Sequence, residues 1–317
     1  MLEVKVVARH TEALDICSFE LALADGGALP AFEAGAHIDV HLPNGLTRQY
    51  SLCNPPHEQH RYQIAVLKDA DSRGGSRHIH EQFRVGDVLQ ISEPRNLFAL
   101  RHNARRTLLF AGGIGVTPIL CMAEKLASIG ADFTLHYCTR SAERTAFGER
   151  LAKAAFAGQV QIHYDSGTDA QKLQAAEVLA NPEPDTHLYV CGPGGFMEYI
   201  LASARTQGWP EERLHREYFS AAPMDHSADG AFEVKISSTG EVLSIPADTR
   251  VIDVLLGKGF DIPMSCEQGI CGTCLTRVLA GEPEHRDLFL TEEEQALNDQ
   301  FTPCCSRSRS AMLVLDL

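Results

Sequence analysis

The sequence predicts a multidomain chain: an antiparallel β-barrel over residues 1–102, a parallel α/β sheet over 103–222, a linker at 223–231 and a small cysteine-bearing domain over 232–317. Three observations carry that reading. Short alternating apolar runs separated by turn residues fill the first third. Apolar runs alternating with helical patterns fill the middle. A tight group of cysteines follows near the end. At 317 residues the chain is long enough for two or three cores.

In the first domain the strand candidates are LEVKVVAR, HIDVHLP, RQYSL, YQIAVLK and DVLQISEP, with turns such as Asp25-Gly26-Gly27 and Pro43-Asn44-Gly45 between them. Closing such a sheet on itself removes its exposed edges. In the second domain TLLFAG, DFTLHYC and HLYVCG read as buried strands, and helices are expected near 117–129, 143–156 and 194–207. SAAPMDHSADG is small and polar and reads as linker. The third domain opens on a hairpin: Phe232, Val234 and Ile236 alternate with polar residues, SSTGE turns and EVLSIP returns. An amphipathic helix follows, with Val251, Ile252, Leu255 and Leu256 on one face and Gly257 or Gly259 ending it. Thr291 and Glu294 form a capping box that opens another short helix.

Apolar residues make up 44% and charged residues 22%, which excludes wholesale disorder. The balance of 28 Lys+Arg against 42 Asp+Glu argues against nucleic acid or an anionic membrane as partner and points to a basic protein surface instead. No run approaches the ~18 apolar residues of a membrane span. The start MLEVKVVARHTEALDI shows no basic segment followed by an apolar one, so the expected location is the cytoplasm. In that reducing setting ten cysteines are metal ligands or buried thiols rather than disulfides.

The strongest signal is CEQGICGTC. Cys266, Cys271 and Cys274 follow C-x4-C-x2-C, and 29 residues separate Cys274 from Cys304. That is the plant-type [2Fe–2S] pattern, in which two irons take four terminal thiolates. Gly269 and Gly272 let the backbone wrap closely, and their amides can bond to sulfur. A zinc site usually brings two short-spaced cysteine pairs, which are lacking here. A redox C-x-x-C would need a βαβ setting. Cys305 adjoins Cys304; the register against Cys274 favours Cys304 as fourth ligand and leaves Cys305 a buried bystander.

Together with the ending FTPCCSRSRSAMLVLDL, this segment resembles the ferredoxin domain of the phthalate dioxygenase reductase family. The resemblance covers nearly the whole chain in the order flavin barrel, nicotinamide domain, ferredoxin domain. It implies a ferredoxin–NADP reductase type of sheet for 103–222 and a β-grasp plant-type ferredoxin for 232–317. Arg48-Gln49-Tyr50-Ser51 fits the family's R-x-Y-S strand that binds flavin, the arginine offering a planar cation to the phosphate and Tyr50 and Ser51 facing the ribityl chain and ring. Arg73-Gly74-Gly75-Ser76 precedes a helical pattern, where glycines expose amides to an anion. An ordinary glycine turn with Ser76 as N-cap is the structural alternative. Ala65, Val66, Leu67 and Lys68 match the strand that runs along the ring, and Phe219 matches the aromatic that covers it. A buried Phe at a domain end is the plainer reading.

Gly112-Gly113-Ile114-Gly115-Val116-Thr117-Pro118 fits the GGxGxTP loop of the ferredoxin–NADP reductase superfamily, with Thr117 shared between flavin and nicotinamide. Cys191-Gly192-Pro193-Gly194-Gly195-Phe196-Met197 fits its second nicotinamide loop. Both are strand-to-helix corners, where dinucleotides bind. Thr139 and Arg140 complete the expected NADH contacts. No basic cluster there is dedicated to a 2′-phosphate, although Arg140 and Arg144 are near, so NADH is preferred to NADPH. Nothing recognises the adenosine half of FAD, so FMN is preferred.

The resemblance implies a monomeric reductase component that passes electrons from NADH through FMN and the [2Fe–2S] cluster to a Rieske-type oxygenase of aromatic compounds. Phthalate, phenoxybenzoate and carnitine oxygenase reductases are near neighbours. No acid–base residue is expected to be essential. The chain has no Cys-x-His for a Rieske centre and no evident 2-His-1-carboxylate site, so oxygen is activated elsewhere. His78-x-His80 reads as ordinary surface or core. Residues 232–317 hold 14 acidic and 7 basic residues, and an acidic docking face including Glu282, Glu284 and Asp287 is expected. A stand-alone flavin reductase and a cluster-bearing sensor are the competing classes.

Overall fold

The computed structural model describes residues 1–70, 72, 74–221, 227 and 229–317. Arg73 and most of the expected linker lie outside the described residues. Two compact units result, Met1–Phe219 and Ser220–Leu317.

The first unit holds two sheets. One runs in the order Thr47–Ser51, Ala36–His41, Val88–Ile91, Leu2–Ala13, Ile16–Leu23, Tyr62–Leu67, with every neighbour antiparallel. Its two end strands lie against each other, so the sheet curls into a barrel. The period-2 pattern explains the inward face: Val4, Phe19, Leu21, Ile38, Val40, Ile64 and Ile91 are fully buried. The long strand Leu2–Ala13 shifts register at Val6/Ala8 and Thr11/Ala13, irregularities of the kind that bend a strand around a barrel.

The other sheet is wholly parallel, in the order Val160–Tyr164, Asp132–Thr139, Arg106–Gly112, Thr186–Cys191, Leu214–Glu217. Strand order therefore reverses between Arg106–Gly112 and Thr186–Cys191, which makes their carboxyl ends the topological switch point. Helices Val116–Ser128 and Gly194–Thr206 leave from those ends, close to the expected spans. The helix expected over 143–156 shrinks to Gly148–Lys153. Phe147 adopts φ 58, a left-handed conformation that a continuous helix does not allow, and Ala154 is already extended.

Residues 220–317 form a mixed sheet, Val242–Ile245, Phe232–Ile236, Met312–Leu315, Thr276–Ala280, Gln300–Phe301. Only the Phe232–Ile236 and Met312–Leu315 pair is parallel. Helix Val251–Gly257 buries Val251, Ile252 and Leu255 in the same core as Ile236, Leu243 and Ile245, which is the β-grasp arrangement. The capping box is formed: Thr291 Oγ1 accepts from the Glu294 amide at 3.2 Å, and Glu294 Oε2 accepts from the Thr291 amide at 2.8 Å. Among the described residues no helix is long and apolar enough to cross a membrane.

The parallel sheet carries two stacked histidine pairs. His136 Nδ1 lies 3.1 Å from His163 Nε2, with Phe110 stacked beneath, and His187 Nδ1 lies 2.9 Å from His215 Nε2 beside Tyr189. Burial holds all four below the ordinary value, with His136 and His215 down at about 4. An unfolded chain takes up protons near pH 6.5 and this sheet does not. Stability is therefore full above about pH 6.5 and falls as the pH drops toward about 4. Thermal unfolding followed from pH 7 to pH 5 should show a falling midpoint. His136→Phe, which keeps a ring against Phe110, should make that fall shallower.

Candidate functional site

The R-x-Y-S residues occupy Thr47–Ser51, where Arg48 pairs across to Val40, Gln49 to Asp39, Tyr50 to Ile38 and Ser51 to His37. Arg48 lies over the first turn of helix Gly75–Gln82, so close that a Cβ on Gly75 would fall 2.8 Å from Arg48 Cγ and Nε. Gly74, at φ 92, caps that helix. A guanidinium and the amide end of an eight-residue helix thus meet at one point. Ser76 is not the N-cap. Its hydroxyl donates to Ser72 Oγ at 2.9 Å and accepts from the Asp69 amide at 3.3 Å, which ties down the loop. Burial pushes the Tyr50 phenol up, against the pull of Arg48, and keeps it a neutral donor.

Gln49 is held by the barrel, donating to Asp39 Oδ1 at 3.0 Å. Ala65 and Val66 are buried in strand Tyr62–Leu67, Leu67 is half-buried, and the Lys68 ammonium pairs with Glu81 at 3.1 Å. His80 Nε2 bonds the Val66 carbonyl at 2.8 Å and so fastens the helix to that strand.

At the switch point the two glycine loops touch backbone to backbone. A Cβ on Gly115 would stand 2.3 Å from the Cys191 carbonyl oxygen, and one on Gly192 would stand 2.9 Å from Gly112 Cα. Phe196 closes the contact, 2.6 Å from where a Gly112 Cβ would lie. Gly113, at φ 53, and Gly194 and Gly195 face open space. Thr117 is buried, its hydroxyl donating to the Ile114 carbonyl at 3.2 Å. Pro118 sits in the first helical turn, where no amide is needed. Pro193 precedes the second helix, and Met197 turns into the core beside Ile200 and Leu201. Thr139, at the end of Asp132–Thr139, is buried and bonds Thr145 Oγ1 at 2.9 Å, whereas Arg140 is exposed. Arg144 pairs with Asp15 at 3.6 Å.

Sequence reasoning missed Glu217. It ends strand Leu214–Glu217 beside Cys191, and Ser51 Oγ donates to its Oε2 at 3.3 Å across 166 residues of sequence. The carboxyl is largely enclosed, and that burial pushes it up to about 8 against the Ser51 hydrogen bond. Burial and Glu217 together push the Cys191 thiol well up, so it is no ready nucleophile. Two residues further on, Phe219 is 39% exposed and so does not join the core.

In the second unit Cys266, Cys271, Cys274, Cys304 and Cys305 are all buried and joined by no disulfide. Cys266 faces Cys271 and Cys304, and Cys304 faces Cys266, Cys274 and Cys305. Three left-handed residues, Glu267, Gly269 and Gly272, wrap the loop. A Cβ would strike Cys305 Sγ at 2.4 Å from Gly269 and the Phe289 ring at 2.3 Å from Gly272, so both glycines are required by space. The Gln268 amide donates to Cys266 Sγ at 3.4 Å and the Thr273 amide to Cys271 Sγ at 3.5 Å. Bonds from Cys271, Cys304 and the loop amides hold Cys266 below the usual thiol range. Cys305 lies against Cys304 and also has Thr302 Oγ1 at 3.2 Å. Four soft, buried donors with amides aimed at sulfur fit an iron–sulfur cluster. Among the described residues no three or more His, Cys, Asp or Glu gather as they would on a single metal ion.

Of the acidic face expected at Glu282, Glu284 and Asp287, the structure withdraws Asp287 and leaves the two glutamates accessible and ion-paired. The Asp287 side chain is 0% exposed, Glu284 pairs with Arg286 at 2.8 Å, and Glu282 with Arg309 at 3.2 Å.

A barrel, a parallel sheet with paired glycine loops at its switch point and a thiol-bearing β-grasp domain define an electron-transfer oxidoreductase of modular type. Residues 234–309 match the family model of the 2Fe-2S iron-sulfur cluster binding domain, and residues 92–214 match that of the dimethylamine monooxygenase subunit DmmA-like N-terminal domain. The chain is 64% identical to a vanillate O-demethylase oxidoreductase of Pseudomonas putida, over 100% of both chains. It is 44% identical to a phthalate 4,5-dioxygenase oxygenase reductase subunit of Pseudomonas putida, over 99% of this chain and 96% of the relative. The solved structure of phthalate dioxygenase reductase, described as modular for electron transfer from pyridine nucleotides to [2Fe-2S], superposes with TM-score 0.78 at 39% identity, over 100% of this chain and 98% of that one. The chain belongs to the phthalate dioxygenase reductase family.

Glu217 makes stability pH-dependent in the opposite sense to the histidine pairs. Its folded form holds a proton up to about 8, whereas an unfolded glutamate releases it near 4.5. The stability it contributes is complete below about pH 4.5 and is lost as the pH rises to about 8. Glu217→Gln should therefore gain on the parent protein progressively from pH 5 to pH 8 in thermal melts, with no further gain above. A difference that is flat with pH would place the proton elsewhere.

Proposed function

We propose that this chain is the reductase component of a two-component Rieske non-haem iron oxygenase that O-demethylates vanillate in the breakdown of aromatic compounds. It takes electron pairs from NADH and delivers them singly to the oxygenase. The observation that carries the reading is the joining, in one chain, of paired glycine loops at a switch point with a group of buried thiols spaced C-x4-C-x2-C. The full-length 64% identity to a vanillate O-demethylase oxidoreductase supports that substrate among the family's alternatives.

FMN, when bound, supplies the conversion between a two-electron donor and a one-electron cluster. Arg48 and the amides from Gly74, Gly75 and Ser76 would hold its phosphate. Tyr50 and Ser51 would line the ribityl chain and ring with Gln49, Ala65, Val66, Leu67, Lys68 and Thr117 around them. Phe219 offers an exposed ring to cover the flavin. The loops of Gly112, Gly113, Gly115, Thr117 and Pro118, and of Cys191 through Met197, would orient the nicotinamide against it. Thr139 and Arg140 serve the adenosine side. Arg144 is already paired with Asp15, which favours NADH over NADPH. At neutral pH Glu217 is protonated and Ser51 is bonded to it, so no ionised base is in place beside the ring. Cys266, Cys271, Cys274 and Cys304 would ligate the cluster. The working domains are 1–102, 103–222 and 232–317, joined by 223–231, in a cytoplasmic monomer.

The test is an anaerobic NADH titration of the reconstituted chain, alone and with vanillate oxygenase. NADH should bleach the flavin and raise the reduced-cluster signal in electron paramagnetic resonance, and once air is admitted it should support vanillate turnover only when both proteins are present. Vanillate turnover no faster than with an unrelated reductase would overturn the pathway reading. In the same assay Arg48→Ala should weaken flavin binding by about 1.5–3 kcal/mol, the scale of a hydrogen bond to a charged group.

Cys304→Ser and Cys305→Ser separate the adjacent thiols. Iron and labile sulfide should be lost, or the visible spectrum altered, in the first variant and retained in the second. The reverse result would exchange their roles.

A further inference from the structure

We propose that Asp287 is a positioning residue for the cluster-binding loop, and that its buried carboxylate holds the reduction potential of the cluster down. The inference rests on the cluster reading above and deepens it.

Asp287 ties together the segments that surround the thiols. Its Oδ2 accepts from the Leu290 amide at 2.8 Å, and its Oδ1 accepts from Ser306 Oγ at 3.4 Å, two residues beyond Cys304. The adjoining Leu288 amide donates to the Gly269 carbonyl at 3.0 Å, inside the C-x4-C loop. The approach there is tight: a Cβ on Gly269 would lie 3.0 Å from Asp287 Cα and Cβ. Asp287 and its neighbour Leu288 together join the loop carrying Cys266 and Cys271 to the segment carrying Cys304.

The charge is equally specific. The side chain is fully buried. Arg286 directs its guanidinium away, to Asp229 at 2.6 Å and Glu284 at 2.8 Å. His285 Nδ1 lies 3.5 Å from Asp287 Oδ1, within ion-pair distance, and neither of its ring nitrogens has a hydrogen-bond partner. Adding an electron to a thiolate-held cluster raises its negative charge, and a negative charge on the Asp287 side chain would oppose that more strongly than it would in water. Sequence alone made Asp287 a surface acid of EPEHRD; the fold makes it an internal one.

Asp287→Asn keeps the shape and removes the charge. In the full reconstituted chain, cluster content should match the parent while the midpoint potential rises. The midpoint would be measured in a dye-mediated titration read by electron paramagnetic resonance. The expected shift is about tenfold in the reduced-to-oxidised ratio, or about 59 mV for one electron. A fully loaded variant with the parent potential overturns the proposal. If Asp287→Asn folds by circular dichroism but loads no cluster, Asp287→Glu decides: restored loading upholds the need for a carboxylate at this point, and failure to restore it reduces Asp287 to packing. Absence of any cluster in the parent protein would instead strike the cluster reading itself.

Discussion

Two turns of backbone press together at adjacent strand ends so closely that neither has room for a single methyl group. Gly115 against the Cys191 carbonyl and Gly192 against Gly112 leave no space for a Cβ. That contact sets where helices Val116–Ser128 and Gly194–Thr206 begin, and so where their amide ends gather. It also leaves Gly113, Gly194 and Gly195 facing open space, where an elongated cofactor can lie against bare peptide. A methyl group at Gly115 would have to displace a strand end rather than a side chain, and displacing it would move Cys191 and its neighbour Glu217 together.

This constraint was legible because it is written in consecutive residues. The glycine loops and the cysteine spacing are local signals, and each follows a strand or wraps a loop without help from the rest of the chain. The barrel and the parallel sheet were legible for the same reason, from strand periodicity and from strand–helix alternation. What could not be read depends on distant pairing. Ser51 and Glu217 meet only because the barrel strand and the last parallel strand converge. The sequence offered EYF as a signal, and it drew attention to Phe219 alone. The histidine pairs are likewise invisible in one dimension. His136 sits opposite Gln161, and its partner His163 lies two residues further along the neighbouring strand.

Helix 143–156 and Asp287 show the other kind of failure, in which a reasonable local rule is overridden. Helical periodicity continued through Phe147, but that residue turns left-handed and buries its ring beside Leu151. Charge density in EPEHRD signalled a solvated face. Asp287 instead finds an amide and a hydroxyl inside the domain, which is the condition under which an acidic side chain is tolerated there. In both cases tertiary partners, chosen far along the chain, outweighed the local pattern.

The two buried carboxyl groups divide electrostatic work between the units. Glu217 lies beside a thiol and a hydroxyl with no cation among its perturbing neighbours, so burial keeps it neutral at pH 7. A neutral group there adds no charge to the crevice where a dinucleotide, itself anionic, would have to enter. Asp287 is supplied with donors and stands beside a loop built for thiolates, where charge changes by one electron at a time. A carboxyl whose proton is retained suits a site that handles electron pairs without storing charge. A carboxylate fixed by two donors suits one whose potential has to be set. The same side-chain chemistry meets different surroundings: burial at Glu217 is opposed by a single hydroxyl, whereas Asp287 is met by a backbone amide and a hydroxyl.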